Sequence, residues 1–303
     1  MAELFWLGQK MMYRMAHAYT EKGLNIDDFT GADYTSVYLA FRDAFQHYNP
    51  KVKLTLSEFR NKFHEYYHTD KHLSVQIRYN KIIAGFCMVT RGQMNDHSAG
   101  WISAMGIRNG YQGRGWSHFL LKTVIDNTQK ARLEKLYLEV QTWNDQAINL
   151  FSSYDFKVGR KLASYKLYAP CIMNAFQHEI KIWPGIEIPF ENVESYKTSF
   201  QESLHFIQKE NKHHSTLVIH SGGNRPAGYL IMDSDTGRIR HIFILPEQRN
   251  CGLGSSLVSY AAQLKKNLTL INVDTDDEGM SNFLHKLGFR REMEQYEMIK
   301  TLQ

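Results

Sequence analysis

The sequence predicts an α/β protein made of two copies of one strand-and-helix domain, and three observations carry that prediction. An apolar strand, Trp101 to Arg108, feeds the glycine-rich turn Asn109 to Gly115, which opens a helix whose Phe119, Leu120, Val124 and Ile125 recur at helical spacing. The same order returns where Ile239 to Leu245 runs into Pro246 to Gly254 and then a helix through Leu257, Tyr260, Ala261 and Leu264. The two turns lie 137 residues apart, Gln112 to Arg249, which is a domain length rather than a solenoid period.

Residues 1–23 read as a helical preamble, amphipathic because Glu3, Lys10 and Arg14 interrupt its apolar residues, and broken at Gly23. Leu24 to Phe29 is a short strand. A helix follows from the polar start Thr30-Gly31-Ala32-Asp33, carries Val37, Phe41 and Ala44 on one face, and stops at Asn49-Pro50. Ser57 is an N-cap candidate for a second helix through Phe59 and Phe63 to Tyr67. Leu73 to Tyr79 and Ile82 to Thr90 form a hairpin around Asn80-Lys81, and a polar loop, Gly92 to Ser98, leads into the central strand. Leu136 to Val140 and Ser164 to Tyr168 are the remaining strands of the first copy. Residues 24–168 are therefore the expected first domain, and 169–184 the connection.

The second copy, 185–303, is shorter. Asn192 to Gln208 is its one clear helix before a hairpin of Ser215 to His220 and Ala227 to Met232; Leu268 to Val273 and a final strand, Tyr296 to Lys300, complete it.

Composition narrows the class. In 303 residues, 43% hydrophobic and 22% charged residues describe a globular chain, and no apolar run reaches the ~18 residues of a membrane span. The net charge of +5 is spread along the chain, with no concentrated basic tract that argues for nucleic acid. Cys87, Cys171 and Cys251 are odd in number and far apart, as reduced thiols in the cytoplasm are.

A glycine-rich turn between strand and helix binds anions, because the first-turn amides lack intrahelical acceptors and face the loop with the positive end of the helix dipole. A P-loop is excluded, since no Gly-Lys-Ser/Thr follows, and Gly110, Gly113 and Gly115 do not have dinucleotide-fold spacing. Gln112-Gly113-Arg114-Gly115-Trp116-Ser117 resembles instead the Q/R-x-x-G-x-G/A signature of the GNAT family of acyl-CoA-dependent N-acyltransferases. The strand Leu136 to Val140, followed by Asn144-x-x-Ala147-x-x-Leu150-Phe151-x-x-x-Asp155-Phe156, is similar to that family's next motif, N-x-x-A-x-x-L-Y-x-x-x-G-F. It departs at Phe151, where the family has tyrosine, and at Asp155, where it has glycine. In the second copy Arg249-x-x-Gly252-x-Gly254 and Phe283-Leu284-x-x-x-Gly288-Phe289 match, with Asp277 in the place of Asn144.

The resemblance implies two tandem GNAT folds, each a mixed, mostly antiparallel sheet flanked by helices. It implies transfer of an acyl group from acetyl-CoA, or another acyl-CoA, to an amine on a small molecule or a protein, by a monomer or homodimer. Met105, Gly106 and Ile107 would pair with the pantetheine arm, the amides of Gln112, Gly113, Arg114, Gly115, Trp116 and Ser117 would hold the pyrophosphate, and Asn144 would lie on the cofactor side. A possible second cofactor site is Ile242 to Ile244 with Arg249, Asn250, Cys251, Gly252, Leu253 and Gly254, although a carboxylate at Asp277 would repel a polyanion. Arg42 to Leu54 would line the acceptor site.

The proton-transfer residues stay open at this level. Phe151 and Leu284 cannot supply the proton that the family's tyrosine gives to the leaving thiolate; Tyr154, Tyr165 and His285 are the substitutes the sequence offers. Some relatives carry a basic glutamate at the start of the central strand, where this chain has Trp101 and Arg238. Glu139 and His241 are then the candidate bases.

One competing motif is His64-Glu65-Tyr66-Tyr67-His68, a literal H-E-x-x-H with His72 one turn on. The longer zinc-protease pattern would need glycine at Lys71 and histidine at Ser74, and the segment coincides with the predicted second helix, so no metal site is expected. His213 and His214 are expected on a polar loop surface.

Overall fold

A computed structural model describes residues 22–48, 52–168, 178–190, 197–221 and 225–302. Residues 1–21 of the preamble, the expected helix stop Asn49-Pro50 and residues 169–177 of the predicted connection therefore lie outside the described residues. Contacts divide the chain into two compact units. The first holds residues up to Glu139, Asn144–Lys157 and the C-terminal residues from Met298 on; the second holds Val140–Trp143 and Val158–Glu297.

In the first unit the strands β1 (Leu24–Asp28), β2 (Val75–Tyr79), β3 (Ile82–Met94), β4 (His97–Ile107) and β5 (Lys135–Gln141) lie side by side in chain order. All neighbours run antiparallel except β4 and β5, which are parallel because helix α3 (Trp116–Lys130) crosses between them. Two-residue turns with positive φ at both positions, Asn80-Lys81 and Asn95-Asp96, match the strand twist and close the hairpins. The second of these replaces the expected loop over Gly92 to Ser98: β3 continues to Met94 and β4 begins at His97, in register as Met94↔His97.

Helix α1 (Tyr34–Ala44) is capped by Asp33, whose carboxylate accepts the amides of Thr35 and Ser36. It ends at Ala44, before the expected stop. Helix α2 (Leu56–Arg60) continues as a π-helical turn over Asn61–Tyr66, and its cap is Thr55 rather than Ser57. Thr55 wins because Glu58, three residues on, accepts a hydrogen bond from its backbone amide and completes a capping box.

Consecutive residues of β3 face opposite sides of the sheet. Phe86 meets Phe41 of α1 and Phe45, its C-cap, whereas a Cβ on Gly85 would meet Leu120 of α3. The sheet is thus covered on both faces, by α1 and α2 on one and α3 on the other.

In the second unit β7 (Ile180–Pro184), β8 (His214–His220), β9 (Pro226–Asp233) and β10 (Ile239–Ile244) form an antiparallel sheet on which α6 (Leu253–Leu264) packs. The last residues of the expected connection are therefore strand β7, with Ile180 packed on the apolar core. The expected helix over Asn192 to Gln208 is, in its described part, a 3₁₀ turn at Phe200–Glu202 and a single-turn helix α5 (Leu204–Ile207). Ser203 breaks it, since its hydroxyl donates back to Phe200 O and accepts Phe206 N–H as a new cap.

Strand β6 (Lys157–Leu167), expected to close the first copy, ladders antiparallel with β11 (Thr269–Asp274), the strand that leads to helix α7 (Glu278–Lys286). That pairing is why the contact division falls near residue 157 and not at the expected boundary after 168. The last strand, β12 (Phe289–Thr301), shares a sheet with β6. Among the described residues no helix is long and apolar enough to cross a membrane.

Candidate functional site

The geometry of the first unit centres on a fork between β4 and β5. The parallel ladder runs from Ala99↔Lys135 to Ile102↔Leu138 and ends there, while on its other edge β4 stays paired with β3 as far as Gly85↔Ile107. The cause is local. A register shift between Met88 and Val89 leaves Ser103 as the extra residue of a bulge, which bends the strand and increases its twist. Met105, Gly106 and Ile107 consequently lie beyond the last rung shared with β5.

At the open end of the fork comes the loop. Gly110 and Gly113 have φ of +82° and +78°, and a Cβ on either would meet no atom within 4 Å. Gly115, also in the left-handed region, is the N-cap of α3 and offers no side chain to its amides. The loop is latched by Gln112, whose Nε2 donates to Ile107 O at 3.3 Å. Arg114 lies over three aromatic faces, those of Tyr79, Tyr111 and Trp116, at 5.2 to 5.7 Å. Backbone amides, a helix N-terminus and a cation line a cradle that side chains leave open, so these residues fit a CoA pyrophosphate.

At the crotch of the fork is Glu139, one residue past the last rung. Its carboxylate accepts the indole N–H of Trp101 at 2.6 Å, and Tyr67 packs edge-on to that indole at 4.8 Å. The structure thus brings a carboxylate to the residue at which some relatives carry their glutamate. Asn144 caps helix α4 (Asp145–Ser152), its Oδ1 accepting the Ala147 amide. Tyr154 is tied down: its hydroxyl donates to His118 O on α3 at 3.2 Å. Phe151 is buried against Phe156. Asp155 takes φ +62°, a left-handed conformation like that of Gly288 in the second copy, so this departure from the family motif keeps the helix ending.

Tyr165 and His285 meet each other in the second unit instead. Their rings are 5.8 Å apart, and the buried Tyr165 hydroxyl lies within hydrogen-bonding distance of Ser281 and Arg291. His241 is fully buried and stacked on Tyr229, and desolvation pulls it down to about 4, so it is neutral at neutral pH. His214, expected at the surface, is buried beside Arg240, while His213 pairs with Asp235.

The second loop repeats the first. Gly252, at φ +82°, is the N-cap of α6; Asn250 stands left-handed where Gly113 does; and Arg249 Nε donates to Ile244 O as Gln112 does to Ile107 O. Arg238, just before β10, makes a parallel bridge to Thr269 at the start of β11. Cys251 is exposed and Leu253 buried. Asp277 caps α7 by accepting the Met280 amide, which is Asn144's role in α4.

The H-E-x-x-H motif does not present two imidazoles on one α-helical face. His64 sits in the π-helical turn with Glu65 at 2.7 Å, and His68 lies beyond it at φ +47°.

Sequence analysis alone missed Tyr48. It lies in the segment expected to face the acceptor, and its ring packs edge-on to Phe45 at 5.2 Å.

Comparison with known proteins gives the family and the fold. The family model for the acetyltransferase (GNAT) family matches residues 36–156 and again 179–289. No curated protein matches the chain. Among solved structures, a tandem GNAT protein from the clavulanic acid biosynthesis pathway is 10% identical over 92% of this chain and 99% of its own, with a TM-score of 0.69. A putative acetyltransferase from Pyrococcus horikoshii (12% identity, 93% and 90% covered) and a GCN5-related N-acetyltransferase from Sphaerobacter thermophilus (11%, 93% and 96%) each give 0.66. At such identities the likeness is one of fold.

Proposed function

The chain belongs to the acetyltransferase (GNAT) family, and on that premise we propose that its first unit transfers an acyl group, acetyl by default, from acyl-CoA to a primary amine. The single observation that carries this reading is the fork, which opens at the Ser103 bulge and ends on the open glycine loop.

Each group has a task in this reading. Main-chain groups of Met105 to Ile107 hold the pantetheine arm as an added strand would be held, and the amides of Gln112 to Ser117 receive the pyrophosphate. Bound this way, acyl-CoA supplies an activated thioester. Glu139 takes the proton of the attacking amine, directly or through water, and the Trp101 indole fixes its carboxylate. The described residues of Arg42 to Leu54, with Tyr67, would line the acceptor's side. The second unit is structural or a vestigial cofactor site. Cys87 and Cys251 are free thiols, as suits the reducing cytoplasm.

A binding role without turnover is favoured by Phe151, which has no proton to give. Calorimetric titration with acetyl-CoA separates the possibilities. We expect one site in the wild type, lost in G113V/G115V and kept in G252V. Affinity that survives the double change would move the site to the second loop, and absence of binding would sink the enzyme.

A further inference from the structure

We propose that Asp43 is a positioning residue for the cofactor: it holds the glycine loop in the shape that receives the pyrophosphate, and so joins that loop to the helix leading into the acceptor segment. The inference rests on the assignment of acyl-CoA to the first unit.

Asp43 lies in the last turn of α1 and meets the chain just where β4 gives way to the loop. Its carboxylate accepts the backbone N–H of Asn109 at 2.8 Å, and Arg108 Nε lies 3.4 Å from the same oxygen. Its own carbonyl accepts Asn109 Nδ2, again at 2.8 Å. The side-chain oxygen of Asn109 in turn accepts Gln112 Nε2 at 3.2 Å, and Gln112 is the residue that latches the loop to Ile107 O. One relay of hydrogen bonds therefore runs from α1 through Asn109 to Gln112. Its origin is fixed, because the next residue of the helix, Ala44, packs on β4 at Gly106, where an added Cβ would lie 2.9 Å from the Ala44 Cβ.

The loop needs such a tether. Gly110, Gly113 and Gly115, all at positive φ, give it more conformational freedom than any other residues would, and a ligand that had to order them would bind more weakly. Holding Asn109 and Gln112 orders the loop beforehand. By charge alone Asp43 opposes a polyanion bound nearby, with Arg108 offsetting part of the repulsion; its hydrogen bonds act in the other direction. The two contributions are separable by substitution.

The second copy lacks this joint. The Leu245 amide bonds Ala227 O as the Arg108 amide bonds Ala84 O, but the residue that follows is Pro246 where the first copy has Asn109. Proline has neither a backbone N–H nor a side-chain amide to offer a carboxylate. The clasp thus belongs to the copy whose loop is assigned to acyl-CoA.

Calorimetric titration with CoA tests the relay in D43A, D43N, N109A and D43A/N109A, with urea unfolding to establish that each variant is folded. D43A removes the clasp and should lower affinity about 10-fold, the worth of one hydrogen bond to a charged group. D43N keeps an oxygen for the Asn109 amide while removing the charge, and should bind within about 2-fold of the wild type. N109A cuts both side-chain links without touching α1 and should weaken binding about 5-fold, the worth of one neutral hydrogen bond. Adding N109A to D43A should then cost no more than about 2-fold, because the two residues act as one unit. Wild-type affinity in D43A would overturn the proposal, and so would losses that simply add, which describe two independent side chains. Tighter binding in both D43A and D43N would also overturn it, leaving Asp43 as a repelling charge only. If D43A does not fold, wild-type affinity in N109A overturns the relay from the loop side. CoA binding that is absent from the wild type, or that survives G113V/G115V, overturns the underlying assignment instead, so the two failures are distinct.

Discussion

His241 shows how far the ionisation of one residue reaches. It is buried with its ring stacked on Tyr229, and desolvation lowers it to about 4 from an unfolded value near 6.5. Between those values the unfolded chain binds the proton and the folded chain does not, so stability is complete above about pH 6.5 and falls as pH drops towards 4. The loss attributable to this residue is about 3 kcal/mol. Denaturant unfolding at pH 7 and pH 4.5 should show that slope in the wild type and a shallower one in H241F, which keeps an aromatic ring on Tyr229. An unaltered slope would mean that other groups carry the acid sensitivity. At this scale the sequence is a partial guide. Glu139 is legible as a candidate because it follows a strand motif, but its 2.6 Å bond to Trp101 joins residues 38 positions apart. The exchange of Asn144 for Asp277 reads as electrostatic damage in sequence, yet both side chains cap a helix through one oxygen.

Elements were the most legible level, because period and punctuation are local. Glycine turns, hairpins with Asn80-Lys81, and the amphipathic α3 all follow from neighbouring residues. The misses have local causes too: Thr55 outcompetes Ser57 through Glu58, and Ser203 cuts a helix that periodicity extends. The contact between α1 and β4 was not legible, since it depends on the face each element turns to the other. Gly106 is a point of close approach, since a Cβ added there would lie 2.9 Å from Ala44 and 3.1 Å from Phe86. G106V should cost about 1–3 kcal/mol by overpacking. On the proposed assignment of the pantetheine arm to Met105–Ile107 it should also weaken CoA binding, by pushing α1 away from that strand. Chemical denaturation and calorimetry test both, and wild-type values in both would show that α1 yields freely.

The whole molecule is where the chain departs most from its linear reading. The repeat predicts two successive domains, but residues from Met298 on belong to the first unit. Met298 is fully buried, the Leu302 amide donates to Glu134 O at 2.8 Å, and Lys300 lies 3.6 Å from Asp155. Truncation after Glu297 should therefore destabilise the first unit, by at least the ~2–5 kcal/mol of deleting one buried methionine side chain. Limited proteolysis should then cleave within Lys135 to Ser152 of the truncated chain and spare the full one. Equal resistance would remove the C-terminal residues from the first unit's stability.

By itself the sequence determined most of the element types, the doubled strand–turn–helix core, both glycine loops and the family whose motifs they carry. Each of these is written within about 20 adjacent residues, where periodicity and backbone permissiveness act directly. Only the tertiary structure decided that Ser103 opens the fork, that Glu139 meets Trp101, that Ala44 packs on Gly106, and that the last residues join the first unit. Those contacts depend on strand register and on which faces pack together, and neither is encoded by any one stretch of chain.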